Sequence, residues 1–207
     1  MSDILNKEIL DYLYKLFTIE DDILTEMEIY GRKKDFPIID KYSGKLLHVL
    51  TQIKNPELIV ELGSGFGYSA YFFAKGLKRG RVVLIDYQEK NIEMARYFFR
   101  KGNILEKAEF RVGDALKVAT EYENIDILFL DLEKVRYLEA IRSLERNLSE
   151  DALIIADNVL WHGNILSKSD RKAEKLRTFN RFMSEKYVSV IIPVGDGLLI
   201  SVRNCSI

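Results

Sequence analysis

Five short apolar runs recur from residue 57 onward, and helical sequence separates each from the next. They are Leu58–Leu62, Val82–Asp86, Ala108–Val112, Ile125–Asp131 and Ala152–Asp157. Strands that alternate with helices build a parallel sheet covered on both faces. The near-continuous apolar character agrees, because such strands are buried on both sides. Helices are expected near 67–78, 88–101, 114–122 and 134–147. The tail changes pattern. A helix near 170–185 precedes two runs, Tyr187–Ile192 and Leu198–Val202, joined by Pro193-Val194-Gly195-Asp196-Gly197. These read as an antiparallel hairpin that closes one edge. The fold class is therefore α/β: a doubly wound, mostly parallel seven-stranded sheet with a C-terminal antiparallel hairpin.

Before residue 57 the spacing is helical. Ile4, Leu5, Ile9, Leu10, Leu13, Leu16 and Phe17 recur on one face. This stretch is acidic, with eight Asp/Glu against Lys7 and Lys15 in the first 30 residues. Gly31-Arg32-Lys33-Lys34-Asp35-Phe36-Pro37 predicts a break, and 38–53 a further helix closed by Asn55-Pro56. With 207 residues, no repeat and no linker, the chain reads as one domain. Residues 1–55 form an N-terminal helical extension and 56–207 the core.

Charge and cysteine usage narrow the partners. The chain holds 31 Lys+Arg and 32 Asp+Glu, so no overall basic field draws it to nucleic acid or membrane. It opens without a basic-then-apolar leader, and no run approaches the ~20 apolar residues a bilayer needs. A cytoplasmic location without a membrane partner is expected. A lone cysteine, Cys205, excludes an internal disulfide framework. Two histidines and that cysteine speak against a Cys/His zinc site. A metal here would be held by oxygen, hence Mg²⁺, Mn²⁺ or Ca²⁺.

Open α/β sheets bind ligands beyond the carboxyl ends of their strands. Asp86, Asp131 and Asp157 stand at such ends, and Glu61 stands just before a glycine turn, Gly63-Ser64-Gly65-Phe66-Gly67-Tyr68-Ser69. Glycines permit a tight turn and close ligand approach, and the following helix N-terminus offers free N–H groups. Dinucleotide enzymes are the competing reading. Their spacing is G-x-G-x-x-G, whereas this chain has G-x-G-x-G. Glu61 would also repel a pyrophosphate and attract an ammonium group. S-adenosylmethionine carries an ammonium and a sulfonium and no phosphate. Asp86 is placed for ribose hydroxyls, and Gly113-Asp114-Ala115 for the adenine amino group.

Glu61–Ala70, Gly113-Asp114-Ala115-Leu116, Asp126–Lys134, Asp157–Gly163 and Pro193–Leu198 together resemble the divalent-metal-dependent O-methyltransferases of the catechol and caffeoyl-CoA type. The likeness runs from about Phe36 to Val202. Its specific part is Asp131-x-x-Lys134 with Asp157-Asn158 and Gly195-Asp196-Gly197-Leu198. It implies a Rossmann-like methyltransferase fold. It implies S-adenosylmethionine contacts from Glu61, Gly63, Ser69, Asp86, Asp114 and Ala115, with Ser64, Gly65 and Asp131 in the same cofactor site. It implies Mg²⁺ ligation by Asp131, Asp157 and Asn158, and Lys134 as general base. Two carboxylates and an amide oxygen suit a hard cation. Such a cation lowers the pKa of a hydroxyl it binds and fixes it in line with the methyl group. Lys134 takes the proton if its pKa falls from ~10.4, which a cation and desolvation both promote. Two departures stand out. Glu133 replaces the aspartate of many members, and Leu199 stands where animal catechol enzymes hold an acid. Related enzymes pair their subunits, so a homodimer is expected.

A site that binds two adjacent oxygens accepts catechols, caffeoyl esters or 5-hydroxyuridine. The rim must choose. Lys168 through Arg177, with Arg181, holds six basic residues against two acidic. Arg171 and Lys172 lie just after the metal motif. Arg32-Lys33-Lys34 precedes Ile38, in a segment that walls the pocket in this family. Basic groups beside a pocket anchor phosphates while a base enters it, and Trp161 and Tyr68 are placed to stack on a flat substrate. A solvated helix face is the plain competing reading. The arrangement resembles most the bacterial branch that methylates 5-hydroxyuridine at the tRNA wobble position. A small-phenol enzyme is the alternative. A non-catalytic S-adenosylmethionine- and RNA-binding protein is a third, against which the joint presence of Asp131, Lys134, Asp157 and Asn158 counts.

Overall fold

The structure, a computed structural model, describes residues 7–16 and 20–203. Ile4, Leu5, Phe17 and Cys205 lie outside the described residues. The chain begins with α1 (Lys7–Leu16), α2 (Asp22–Lys33) and α3 (Lys41–Lys54). Asp21 caps α2 by accepting from the backbone N–H of Ile23 and Leu24, and Asp40 caps α3 through Tyr42 and Ser43. The expected break at Gly31 is displaced. Gly31 lies inside α2, where a Cβ would touch the Phe66 ring at 3.4 Å. The chain turns only at Asp35, whose φ is +49°. α3 accordingly starts at Lys41 rather than 38, and Asn55 ends it in the left-handed conformation. α3 packs on α4 (Tyr68–Gly76) because Gly44 has no side chain; a Cβ there would meet the Phe72 ring.

The remaining elements alternate as the apolar runs require. They are β1 (Leu58–Leu62), α4, β2 (Arg81–Asp86), α5 (Glu89–Lys101), β3 (Ala108–Val112), α6 (Ala115–Ala119), β4 (Ile125–Leu130), α7 (Tyr137–Leu144), β5 (Leu148–Ala156), α8 (Arg171–Lys186), β6 (Tyr187–Ile192) and β7 (Leu198–Arg203). One seven-stranded sheet has the order β3-β2-β1-β4-β5-β7-β6. The first five strands run parallel, and β7 joins β5 and β6 antiparallel. This is the Rossmann-like methyltransferase architecture with its closing hairpin. Strand order reverses between β1 and β4, so a crevice opens at their carboxyl ends.

Side chains alternate between two apolar layers. Val60, Leu62, Leu128 and Leu130 face α6, α7 and α8, whereas Ile59, Ile127 and Phe129 face α3, α4 and α5. Phe129 is fully buried, edge-on to Phe73 at 5.4 Å. No helix among the described residues is long and apolar enough to cross a membrane.

Three expected boundaries move. The helix over 134–147 is a 3₁₀ turn Lys134–Arg136, then α7, then a second 3₁₀ turn Glu145–Asn147. The reason is Tyr137, whose hydroxyl bonds the carbonyls of Leu130 and Asp157 and holds the chain at the strand ends. β5 begins at Leu148, four residues before its apolar run, because Leu148 pairs with Ile125 across a register shift. The intervening Ser149-Glu150-Asp151 is solvent-facing and carries no apolar signal. α6 is five residues rather than nine, ending at Ala119 with Thr120 as its cap.

Phe129→Ala should lower unfolding free energy by about 3–5 kcal/mol, read from urea denaturation. A loss under 1 kcal/mol would mean that the layer between β4 and α4 is not packed as described.

Candidate active site

The glycine turn after β1 wraps against β4. Gly63 has φ +89°, and a Cβ on it would lie 2.4 Å from the Asp131 carbonyl oxygen. Gly63 and Ser64 donate their N–H groups to Ile85 O, each at 3.0 Å. Gly65, at φ +51°, has the Phe36 ring where a Cβ would be. Glu61 lies beneath this turn, fully buried. Its Oε1 accepts from the Ser69 hydroxyl, and its Oε2 is buried with no partner. Ser64 Oγ is likewise buried and unpartnered. Burial pushes the Glu61 pKa up to about 8 against the opposing Ser69 hydrogen bond. An orphaned carboxylate oxygen is costly, and an ammonium group placed there would satisfy it.

The next two strand ends hold their acids firmly. Asp86 Oδ2 accepts from Gly65 N at 3.0 Å, and Oδ1 from Gln88 N at 2.8 Å and Asn91 Nδ2 at 3.0 Å. Asp114 caps α6 through Leu116 and Lys117 and receives a bidentate pair from Arg136 at 3.0 and 3.3 Å. The Arg136 hydrogen bond is the leading cause that holds Asp114 below the usual carboxylate range.

Between β4 and β5 the acids concentrate. Asp131 N donates to Leu62 O, and Asp157 N to Leu130 O, so both carboxylates start one residue past their strands. Asp157 is pushed up to about 8, first by burial and then by the charge of Asp131. Lys134 Nζ donates to Asp131 Oδ1 at 3.0 Å and to the Tyr137 hydroxyl at 2.9 Å. Burial opposes its charge, but Asp131, Tyr137 and Asp157 outweigh burial and hold the ammonium above the usual lysine range. This reverses the expected fall. Desolvation alone would neutralise the amine, and two adjacent carboxylates do not let it. Asn158, at φ +57°, gives its Nδ2 to Asp196 Oδ2 at 3.2 Å, which leaves Oδ1 as the atom it offers. His162 Nδ1 also pairs with Asp196 Oδ2.

Most of the residues singled out from sequence meet in one cavity of about 1020 Å³. Its walls include Ile38, Gly63, Gly65, Asp86, Asp114, Ala115, Asp131, Lys134, Asp157, Asn158 and Trp161. Ser64 and Ser69 line a smaller recess beside it, and Glu61 is buried behind Ser69. Arg171 and Lys172 line neither space. Both are exposed at the start of α8, and Lys172 Nζ stands 5.3 Å from the Trp161 ring centre. Tyr68 lines that smaller recess but is buried there rather than exposed at the rim. It lies edge-on to Phe72, with its hydroxyl on Glu28 at 3.0 Å. Sequence reasoning missed Arg136 and Tyr137, which lack spacing signals of their own; His162 and Asp196 stood inside the quoted motifs, but only the fold shows that they pair with each other. Among the described residues no three His, Cys, Asp or Glu cluster as a metal site. The oxygen donors at the strand ends are two carboxylates and one amide. That set suits a hard cation, and the mutual repulsion of Asp131 and Asp157 leaves room for one.

Known proteins fix what this crevice belongs to. A family model described as "O-methyltransferase" matches residues 16–204. The chain belongs to the O-methyltransferase family. A catechol O-methyltransferase of Niastella koreensis is 27% identical over 182 residues, covering 83% of this chain and 82% of that protein. A caffeoyl-CoA O-methyltransferase of Medicago sativa is 27% identical and covers 98% and 89%. The solved O-methyltransferase of Bacillus cereus, in complex with SAH, superposes with a TM-score of 0.86 at 25% identity, covering 95% and 97%. This chain is therefore an S-adenosylmethionine-dependent O-methyltransferase.

The buried proton of Glu61 makes a pH prediction. The folded state keeps it up to about pH 8, whereas an ordinary carboxyl releases it near 4.5. The folded methyltransferase then binds more protons than the unfolded chain, so stability falls as pH rises through that window. Glu61→Gln should make this decline in melting temperature shallower without ligand, Asp157 supplying the remainder, and weaken S-adenosylhomocysteine binding at least tenfold. An unchanged slope in thermal melts would remove the buried proton from the account.

Proposed function

We propose that this enzyme methylates a hydroxyl standing beside a second oxygen, and that the acceptor is 5-hydroxyuridine at the tRNA wobble position. The observation that carries the first half is the pair of carboxylates facing the cavity beside the Asn158 amide, Asp157 buried and Asp131 partly buried. These three residues would hold a divalent cation such as Mg²⁺, with Mn²⁺ or Ca²⁺ of the same class. Such a cation, when bound, acidifies the hydroxyl it meets and aligns it for transfer.

The chain's own residues do the rest. Glu61 Oε2 takes the ammonium group of S-adenosylmethionine, and Ser69 keeps Oε1 occupied. The turn at Gly63, Ser64 and Gly65 lets the donor lie against the backbone. Asp86 receives the ribose hydroxyls, and Asp114 with Ala115 borders the adenine edge. Asp131 faces both the cofactor and the acceptor. Lys134 sits between Asp131 and Tyr137, within reach of a proton leaving the acceptor. Its neighbours keep it protonated in the chain alone, so its role as base requires positive charge at Asp131 and Asp157 to loosen that hold.

Support for an RNA acceptor comes from the rim. Arg32, Lys33 and Lys34 are exposed just before Phe36, Pro37 and Ile38, which line the cavity. Arg171 and Lys172 are exposed beside Trp161, which also lines it. Lining the mouth rather than the cavity is where phosphate anchors belong when only the base enters. The names of the relatives favour a second reading, a catechol or caffeoyl-type phenol as acceptor.

Methyl transfer from labelled S-adenosylmethionine separates the two. Transfer to tRNA bearing unmethylated 5-hydroxyuridine is expected. EDTA should abolish it, and Asp157→Ala should reduce it more than about 100-fold. Transfer to phenols alone would replace the RNA reading, and transfer that survives EDTA would remove the cation. S-adenosylhomocysteine binding without transfer to either would favour a non-catalytic role.

A further inference from the structure

The reading of Lys134 as the group that takes the substrate's proton, on which this inference rests, requires its amine to point one way. A lysine Nζ ends a flexible four-carbon stem, and nothing in that stem fixes where its electron pair faces. The local backbone supplies a guide. Lys134–Arg136 is a 3₁₀ turn, and Tyr137 N donates to Lys134 O at its end. In such a turn side chains three apart eclipse one another, so Tyr137 is set over Lys134. Lys134 Nζ stands 5.2 Å from the Tyr137 ring centre and donates to its hydroxyl at 2.9 Å. The ring is fully buried, edge-on to Phe179 at 5.3 Å.

The hydroxyl is held in turn. It donates to Leu130 O at 3.0 Å and to Asp157 O at 2.9 Å, where β4 and β5 end. A phenol has one proton, so a single forked bond serves both carbonyls. That commitment decides the direction of the bond to Lys134. The hydroxyl accepts from the amine and does not turn its proton onto the amine's electron pair. Asp131 Oδ1 is the other partner of Nζ, at 3.0 Å, and it also accepts. Two of the three positions around Nζ are therefore taken. The third is left for the cavity, which Lys134 lines together with Asp131 and Asp157.

We propose that Tyr137 is a positioning residue for methyl transfer: its hydroxyl, pinned by the ends of β4 and β5, orients the Lys134 amine so that its electron pair meets the substrate hydroxyl. In the neutral amine two N–H groups go to Asp131 and Tyr137, and the electron pair takes the third position. The substrate O–H proton passes to that pair. The substrate oxygen forms the new O–C bond, the C–S bond of S-adenosylmethionine breaks, and its electrons stay on sulfur in S-adenosylhomocysteine. A misaimed base loses rate without losing substrate, because alignment acts on the transition state.

Tyr137→Phe keeps the ring and removes the hydroxyl, and Leu130 O retains its bond from Asp157 N. Wild type, Tyr137→Phe, Lys134→Met and the double variant are compared on two substrates, an anticodon stem-loop RNA with 5-hydroxyuridine and catechol. Single-turnover transfer reads the chemical step, and thermal shift with S-adenosylhomocysteine reads folding and cofactor binding. On the substrate that wild type methylates, Tyr137→Phe should slow transfer about tenfold or more. Its KM for that substrate and its affinity for S-adenosylhomocysteine should stay within about threefold of wild type. In the Lys134→Met background the same substitution should cost less than about twofold, because the group it steers is gone. An equal loss in both backgrounds overturns the inference and makes Tyr137 a support of the strand ends. So does a Tyr137→Phe protein that no longer binds S-adenosylhomocysteine, or one that transfers within about twofold of wild type. If Lys134→Met itself transfers within about twofold of wild type, the reading of Lys134 as base falls, and this inference with it. Wild-type transfer to neither substrate removes both.

Discussion

Four of the chain segments that leave a parallel strand bond back to the carboxyl end of a neighbouring strand. Gly63 bonds Ile85, Gly113 bonds Asp86, Asp131 bonds Leu62, and Asp157 bonds Leu130. The ladder therefore runs one residue beyond β1, β3, β4 and β5, and that extra rung fixes where the functional side chains start. Asp131 and Asp157 sit on this rung. Gly63 must be glycine because the Asp131 carbonyl occupies the space of its Cβ. The cofactor turn and the acid pair are thus one construction.

That construction concentrates negative charge where water is scarce. Glu61 and Asp157 are buried and Asp131 is partly buried, and each is pushed toward its neutral form. Lys134 is the counter-charge within hydrogen-bond reach of Asp131, and Tyr137 ties it to the carbonyl ends of β4 and β5. A fold that gathers three acids around one lysine is poised for positive ligands, through the orphaned Oε2 of Glu61 and the Asp131–Asp157 pair. Binding and chemistry draw on the same unbalanced charge.

Much of this was legible in the chain. Strand positions followed from apolar runs, because a strand buried on both faces must be apolar throughout. The cofactor turn followed from glycine spacing and from Glu61, because local sterics and charge act within a few residues. Boundaries set by remote partners were not legible. Leu148 joins β5 because Ile125 lies opposite, and Gly31 stays helical because it packs on Phe66 and Ile38. Tyr68 looked like a stacking residue and is core, since its position on α4 faces α2 and α3. For Lys134, the expected fall rests on a cation and on desolvation together; in the chain alone Asp131, Tyr137 and Asp157 outweigh desolvation and raise it.

The sequence by itself determined the doubly wound sheet, the glycine turn and the row of strand-end acids, because periodicity and short-range chemistry need no knowledge of distant residues. Only the tertiary structure decided which groups share charge and hydrogen bonds: Arg136 with Asp114, Tyr137 with Lys134, and Asp196 with both Asn158 and His162. Those pairs lie up to 38 residues apart. The last of these depends on the hairpin turn bonding back to the loop after Asn158; local spacing predicts the hairpin but not which side chains it brings together.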